Sequence, residues 1–255
     1  MPGILQALLG AGAGTTPSNI PATIADLQLW LKADAIPGLS DSDPIATWPD
    51  ESGNARDVTQ IGAPTQRPLY KTSGGVGGLP YALFDGVDDV MDVPNFMTGF
   101  TAGEVFVVAQ MSNYPPVGSN GHAHPINGWS SSGLGKRCFY YDIDGACTDA
   151  TIVDSFGSTT RRCTVIPPSS LALGHLYEAR SGAGEWTSTL NGTQLFTTAT
   201  NTVGWGTAPN LGFTDTLKRF GGKLHEVIFY SRILNTTERQ TVRTYIASKY
   251  ELTIA

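Results

Sequence analysis

The stretch Lys223-Leu-His-Glu-Val-Ile-Phe-Tyr-Ser231 reads as a strand, and Asn235-Thr-Thr-Glu238 shortly after it reads as the start of a helix. β-Branched and aromatic residues dominate the first segment, as pleated, half-buried surfaces favour. In the second, Asn235 is suited to cap a helix N-terminus while Glu238, at the third helical position, reaches back to complete a capping box. Val242, Tyr245, Ile246 and Lys249-Tyr250 then recur at helical spacing, which predicts a helix over 235–250 with one apolar stripe. One carboxylate, Glu226, stands inside the strand. Placed on a face with Leu224, Ile228 and Tyr230 it is expected to be buried and to need a partner, for which Arg180 and Arg67 are the candidates.

Upstream of this pair of elements the pattern is short apolar runs separated by turn residues. Strands are predicted over 27–33, 81–84, 87–93, 104–111, 137–143, 175–180, 186–190 and 194–198. Asn191-Gly192 marks a two-residue hairpin, because both residues tolerate the positive φ angles that such a turn requires. Thirty Gly and sixteen Pro, spread along 255 residues, fit many turns and few helices. Many strands followed by one terminal helix make an all-β architecture with a closing element, not a βαβ fold.

Seven stretches, in this order, carry a family resemblance: Leu27-Gln-Leu-Trp-Leu-Lys-Ala-Asp34, Trp48-Pro-Asp-Glu-Ser-Gly-Asn54, Arg67-Pro68, Tyr81-Ala-Leu-Phe-Asp-Gly-Val-Asp-Asp89, His175-Leu-Tyr-Glu-Ala-Arg180, Leu190-Asn-Gly192 and Phe220-Gly-Gly-Lys-Leu-His-Glu-Val-Ile-Phe-Tyr-Ser-Arg-Ile-Leu234. The set resembles laminin-G-like domains of the concanavalin A-like lectin/glucanase superfamily and covers residues 27–252. The resemblance implies a two-sheet antiparallel jelly-roll sandwich with one C-terminal α-helix. It leaves function open, since that fold serves lectins, glycoside hydrolases, adhesion modules and viral structural proteins.

Composition excludes some partners. The formal charge is −6, and Lys136-Arg137 and Arg161-Arg162 are only doublets, so no nucleic-acid partner is expected. No apolar run approaches the roughly 18 residues of a membrane span. The three cysteines, Cys138, Cys147 and Cys163, form no C-x-x-C pair and are expected as reduced, buried thiols, with one bridge inside 138–163 as the alternative. Residues 1–25 divide into an apolar piece, a Gly/Ala stretch and a Pro-containing linker. The first basic residue is Lys32, which argues against an export signal. These residues are read as an anchoring arm, with Ile4, Leu5, Leu8 and Leu9 as its sticky positions, and 26–255 as the sandwich.

Candidate sites are sparse. Glycosidases need two carboxyl groups facing across a sugar bond. The one-strand carboxylate patterns of the laminarinase-type members are missing, and Glu178, Glu185 and Glu226 fall on separate segments, so no enzymatic activity is expected. Asp85 and Gly86 are assigned to a turn, with Asp88 and Asp89 solvated or bonded to backbone. Asp142, Asp144 and Asp149 offer oxygen ligands beside a Gly turn and are the candidate calcium site, the one cofactor considered. His122 and His124 lack a third zinc ligand. Sugar binding needs an aromatic face, and Tyr114, His122, His124 and Trp129 in the 112–135 insertion, with Trp205, are the candidates; Trp30 and Trp48 are assigned to the core. The resulting expectation is a non-catalytic structural or adhesion module of a bacteriophage virion, in capsid decoration or tail. Its arm would hold it to other virion proteins in a multi-copy assembly, and its loops would meet cell-surface glycans. The alternatives are a secreted, extracellular carbohydrate-binding protein and a glycoside hydrolase with an atypical site.

Overall fold

Apolar residues occupy both faces of the long strand Ala102–Met111, and two cores therefore form, one on each side of it. The computed structural model describes residues 19–112, 129, 138–139, 152–215 and 218–255. Eight strands make the main antiparallel sheet: β1 (Leu27–Lys32), β2 (Leu69–Lys71), β3 (Tyr81–Asp85), β4 (Ala102–Met111), β5 (His175–Gly182), β6 (Glu185–Leu190), β7 (Thr193–Thr198) and β8 (Gly221–Tyr230). Their order is β7-β6-β5-β4-β8-β3-β2, with β1 pairing the second half of β8 beyond β3. Short antiparallel strands form the facing layer: Thr47–Trp48, Val58–Thr59, Met91–Asp92 and Asn210–Leu211 in one sheet, Cys138–Phe139, Val153–Asp154 and Arg162–Cys163 in another. This is the expected antiparallel sandwich, closed by a C-terminal helix α1 (Thr236–Tyr250).

Alternation along the strands sorts residues between the two cores. Val105, Val107 and Ala109 of β4 face the short strands and meet Trp48, Val58 and Met91. Phe106 and Val108 face the other way, with Leu176, Ile228 and Tyr230, and are covered by Val242, Tyr245, Ile246 and Tyr250 of α1. The helix begins as its sequence requires: the Asn235 side chain accepts from the Glu238 N–H at 2.9 Å, and the Glu238 carboxylate accepts from the Asn235 N–H at 2.9 Å. The predicted hairpin is also present, with positive φ at both Asn191 and Gly192. Residues 20–24 are held against the helix-side core: Ile24 is buried, Ile20 packs beside it, and the Tyr230 hydroxyl donates to Pro21 O at 3.0 Å.

Three points correct the sequence reading. Residues 87–93 do not form one strand, since Val87 is exposed in a turn and pairing is confined to Met91–Asp92. Leu224 does not share a face with Glu226. The register slips by one residue, from Leu224↔Ala109 to Glu226↔Val108, so His225 forms a bulge and Leu224 turns inward while Glu226 faces α1. Cys163 is exposed and disulfide-bonded rather than a reduced, buried thiol, and Cys138 and Cys147 are the chain's other cysteines.

The partners of Glu226 also differ from the expected pair. Its Oε1 accepts from Trp30 Nε1 at 2.6 Å and from the Tyr245 hydroxyl at 2.9 Å; its Oε2 accepts from Tyr250 at 2.7 Å and Lys249 Nζ at 2.9 Å. Arg180 instead pairs with Glu185 at 2.7 Å, and Arg67 donates to the carbonyls of Gln60 and Gly62. Two more buried carboxylates lie on the same face. Glu104 of β4 binds Arg239 at 2.5 Å and accepts from Leu234 N–H, and Glu178 of β5 binds Arg243 at 2.6 Å. Burial pushes the Glu104 carboxyl above the usual range, against the pull of Arg239. His225 is held neutral between these elements. Its Nδ1–H donates to Pro80 O at 3.1 Å, Val76 N–H donates to Nε2 at 3.3 Å, and burial lowers its pKa to about 4.

A buried carboxylate stripped of its partners, or partners stripped of their carboxylate, costs far more than an exposed pair is worth. Replacing Glu226→Leu takes the acceptor from two tyrosine hydroxyls and an indole N–H and leaves Lys249 ion-paired with Asp34 alone, at 2.9 Å. It is expected to lower stability by about 3–5 kcal/mol in urea unfolding. Glu51→Ala removes the 3.4 Å surface pair with Lys32 and should change stability by about 0.5 kcal/mol or less. Equal effects of the two substitutions would contradict the assignment.

Candidate functional site

The segments 97–101 and 201–207 meet at one end of the sandwich around Trp205. The indole is inserted rather than laid on the surface. Its Nε1 donates to Phe100 O at 3.0 Å, and its ring meets Phe156 edge-on at 5.1 Å and Phe229 at 5.5 Å. Two glycines make room: a Cβ on Gly103 would lie 2.8 Å from the ring, and one on Gly157 would lie 2.3 Å from it. The outer part of Trp205, with Phe100, remains partly exposed and floors an open cleft of about 540 Å³, within the general range of roughly 300–1,000 Å³ for small-molecule sites.

The polar groups of the cleft differ in availability. Asn201 is fully engaged: Nδ2 donates to Ser181 Oγ at 2.9 Å and Gly182 O at 3.0 Å, while Oδ1 accepts from Ser158 Oγ at 2.8 Å and Arg162 Nη2 at 3.2 Å. It therefore fixes the wall. Thr101, Thr202 and Thr207 are exposed, and their hydroxyls edge the aromatic floor. Among the described residues that line the cleft, none carries an ionisable side chain. Such an arrangement can stack a small ring and exchange hydrogen bonds with hydroxyl groups.

Of the aromatic candidates, Trp205 lies in this cleft, and Trp129 does not line it. Trp129 is fully buried, packed on Phe229 at 5.3 Å and Phe156 at 6.3 Å, with Nε1 donating to Asn210 O at 3.1 Å. Its faces are spent on the core, which corrects the expectation of an exposed stacking ring. Tyr114, His122 and His124, the calcium candidates Asp142, Asp144 and Asp149, and the arm residues Ile4, Leu5, Leu8 and Leu9 lie outside the described residues. Sequence reasoning missed Phe100 and the threonine rim. The signal available was modest: two Gly/Thr-rich turns, each holding one aromatic residue.

A second cluster lies in the turn after β3. Asp85, Asp88 and Asp89 place one carboxylate oxygen each within 4.8 Å of the others. Backbone bonding accounts for the geometry, as expected of this turn: Asp85 Oδ1 accepts from Val87 N–H at 2.7 Å and Asp88 N–H at 3.2 Å, and Asp89 Oδ2 accepts from Asp85 N–H at 2.8 Å. Burial raises the Asp89 pKa to about 7, and the charges of Asp85 and Asp88 add to the rise. Elsewhere, buried Asp154 accepts from the Tyr177 hydroxyl and from Phe156 N–H. With Glu104, Glu178 and Glu226 tied to α1, these carboxylates hold structure together.

No family model matches the sequence, and no curated protein matches it. Solved structures match in fold. A Trypanosoma rangeli sialidase in complex with the inhibitor DANA aligns at TM-score 0.56 and 13% identity over 86% of this chain and 33% of that one. Domain 4 of a GH43 extracellular arabinanase from Geobacillus stearothermophilus, in complex with arabinotriose, aligns at TM-score 0.55 and 14% identity over 85% of this chain and 96% of that one. A structure of botulinum neurotoxin type C, described as dependent on two ganglioside molecules for cell entry, aligns at 0.55 and 11% identity over 91% and 53%. The chain thus spans about a third of the sialidase it matches. At these identities the likeness concerns the β-sandwich alone.

The acidic turn gives a signed pH test. Because the Asp89 pKa is about 7 in the fold and near 3.9 unfolded, the proton binds the folded state more tightly. Its stabilising contribution is complete below about 4 and is lost as pH rises to 7. Asn in its place keeps an acceptor for Asp85 N–H without the charge. Asp89→Asn should therefore stabilise by about 1–2 kcal/mol at pH 7 and by much less at pH 4, in denaturant unfolding at both values. Destabilisation at pH 7 would show that the charged carboxylate has a favourable partner.

Proposed function

We propose that this chain is a non-catalytic glycan-recognition module whose binding surface is the Trp205 cleft. The observation that carries the proposal is the pairing of a partly exposed aromatic floor with free threonine hydroxyls in a site whose described lining has no ionisable side chain. Sugars present one apolar ring face and a girdle of hydroxyls, and both find counterparts here. The saturation of Glu104, Glu178 and Glu226 by α1 supports binding rather than hydrolysis, because a glycosidase needs two carboxyl groups free to face its substrate. The carbohydrate complexes among the fold relatives point the same way by analogy.

The disulfide at Cys163 favours a working life in an oxidising setting, outside a reducing cytosol. Display on a virion surface and secretion both meet that condition. The virion role rests on the sequence of the arm: removal of residues 1–18 should leave a folded domain that no longer joins its assembly, and full incorporation of the truncated chain would end that reading.

Ala183 lies exposed in the β5–β6 turn on the cleft wall. Ala183→Trp should block the cleft without disturbing either core. Isothermal titration against glycans that the intact chain binds should show at least a tenfold loss, with an unchanged melting temperature. Unaltered binding by this variant would move the site elsewhere, and release of sugar from polysaccharide by the intact chain would contradict the non-catalytic role.

A further inference from the structure

The proposed glycan site also has a chemical selectivity. Resting on that reading, we infer that the Trp205 cleft takes neutral sugars, pentose or hexose residues without a carboxylate, and rejects sialic and uronic acids. A bound carboxylate gives up strong hydration and needs charged or convergent N–H donors to replace it. The described lining supplies no Lys, Arg or His. Arg162, a cation that reaches this loop, is turned to the protein: Nη2 donates to Thr200 O at 2.7 Å and to Asn201 Oδ1 at 3.2 Å.

The indole N–H, a frequent donor to ligands, is likewise spent on Phe100 O. Gly204 and Gly206 N–H donate to Gly157 O and Trp129 O at 3.0 and 2.9 Å, so neither backbone donor is aimed at the cleft. On the side chains of the described lining, what remains is hydroxyl chemistry. Thr101, Thr202 and Thr207 each donate one hydrogen bond and accept others, which is the repertoire of a neutral sugar's own hydroxyls. The protein's net charge of −6 adds a long-range bias in the same direction.

The test uses the full chain on an array of neutral and acidic glycans. Titration calorimetry follows on the best neutral oligosaccharide and on sialyllactose, for the parent, Thr202→Val and Thr207→Val. Both threonines are exposed, and an unchanged melting temperature will verify that the variants are folded. The expected result is neutral-glycan binding that each substitution weakens by about three- to tenfold, with sialyllactose bound at least tenfold more weakly. Sialyllactose bound as tightly as the neutral sugar would overturn the selectivity while leaving glycan recognition standing. Neutral binding untouched by both valines would overturn the assignment to this rim. An array with no bound glycan of either class would overturn glycan recognition itself.

Discussion

The face of the main sheet that meets α1 carries a carboxylate on each of three adjacent strands, and the helix neutralises all three. Glu178, Glu104 and Glu226, from β5, β4 and β8, find Arg243, Arg239 and Lys249. Three buried charges would be prohibitive alone. Paired, they add little net stability over an apolar interface, but they tie the helix to one position, because each base must meet its own acid. The two apolar residue pairs beside them, Val242 with Tyr245 and Ile246 with Tyr250, fill the space between. The rest of the architecture follows from that closure. With one face of the sheet under α1 and the other under the short strands, the Trp205 cleft opens among the loops at the sandwich end.

The sequence announced this closure only in part. The helix was legible down to its capping box, because Asn235 and Glu238 act locally and need no tertiary context. The core strands were legible because β-branched and aromatic runs persist even where both faces are buried, as in Ala102–Met111. The clamps were not. Glu104 and Glu178 lie far from Arg239 and Arg243 in the chain, and nothing in spacing links them. Glu226 was correctly placed indoors and given wrong partners, since a one-residue bulge at His225 sets which face it occupies. A bulge leaves no reliable mark in a single sequence.

The candidate site shows the same division. Trp205 reads from the sequence as an aromatic on a loop and stands in the cleft, although most of its ring is buried against Gly103 and Gly157. Trp129 reads the same way from the sequence and lies in the core. Loop position alone cannot separate the two, because the distinction depends on how deeply each indole is drawn between the sheets. The acidic turn was read from local chemistry, and its hydrogen bonds follow that reading.

A core closed on both faces, with recognition proposed at one end, can be examined residue by residue in solution. Backbone amide spectra of the full chain, recorded during titration with a bound neutral oligosaccharide, address this claim most directly. The account predicts shifts concentrated at residues 97–101, 183 and 201–207, with α1 and the turn at 85–89 unmoved. Shifts centred on α1 or on that acidic turn, with the Trp205 loops silent, would contradict it.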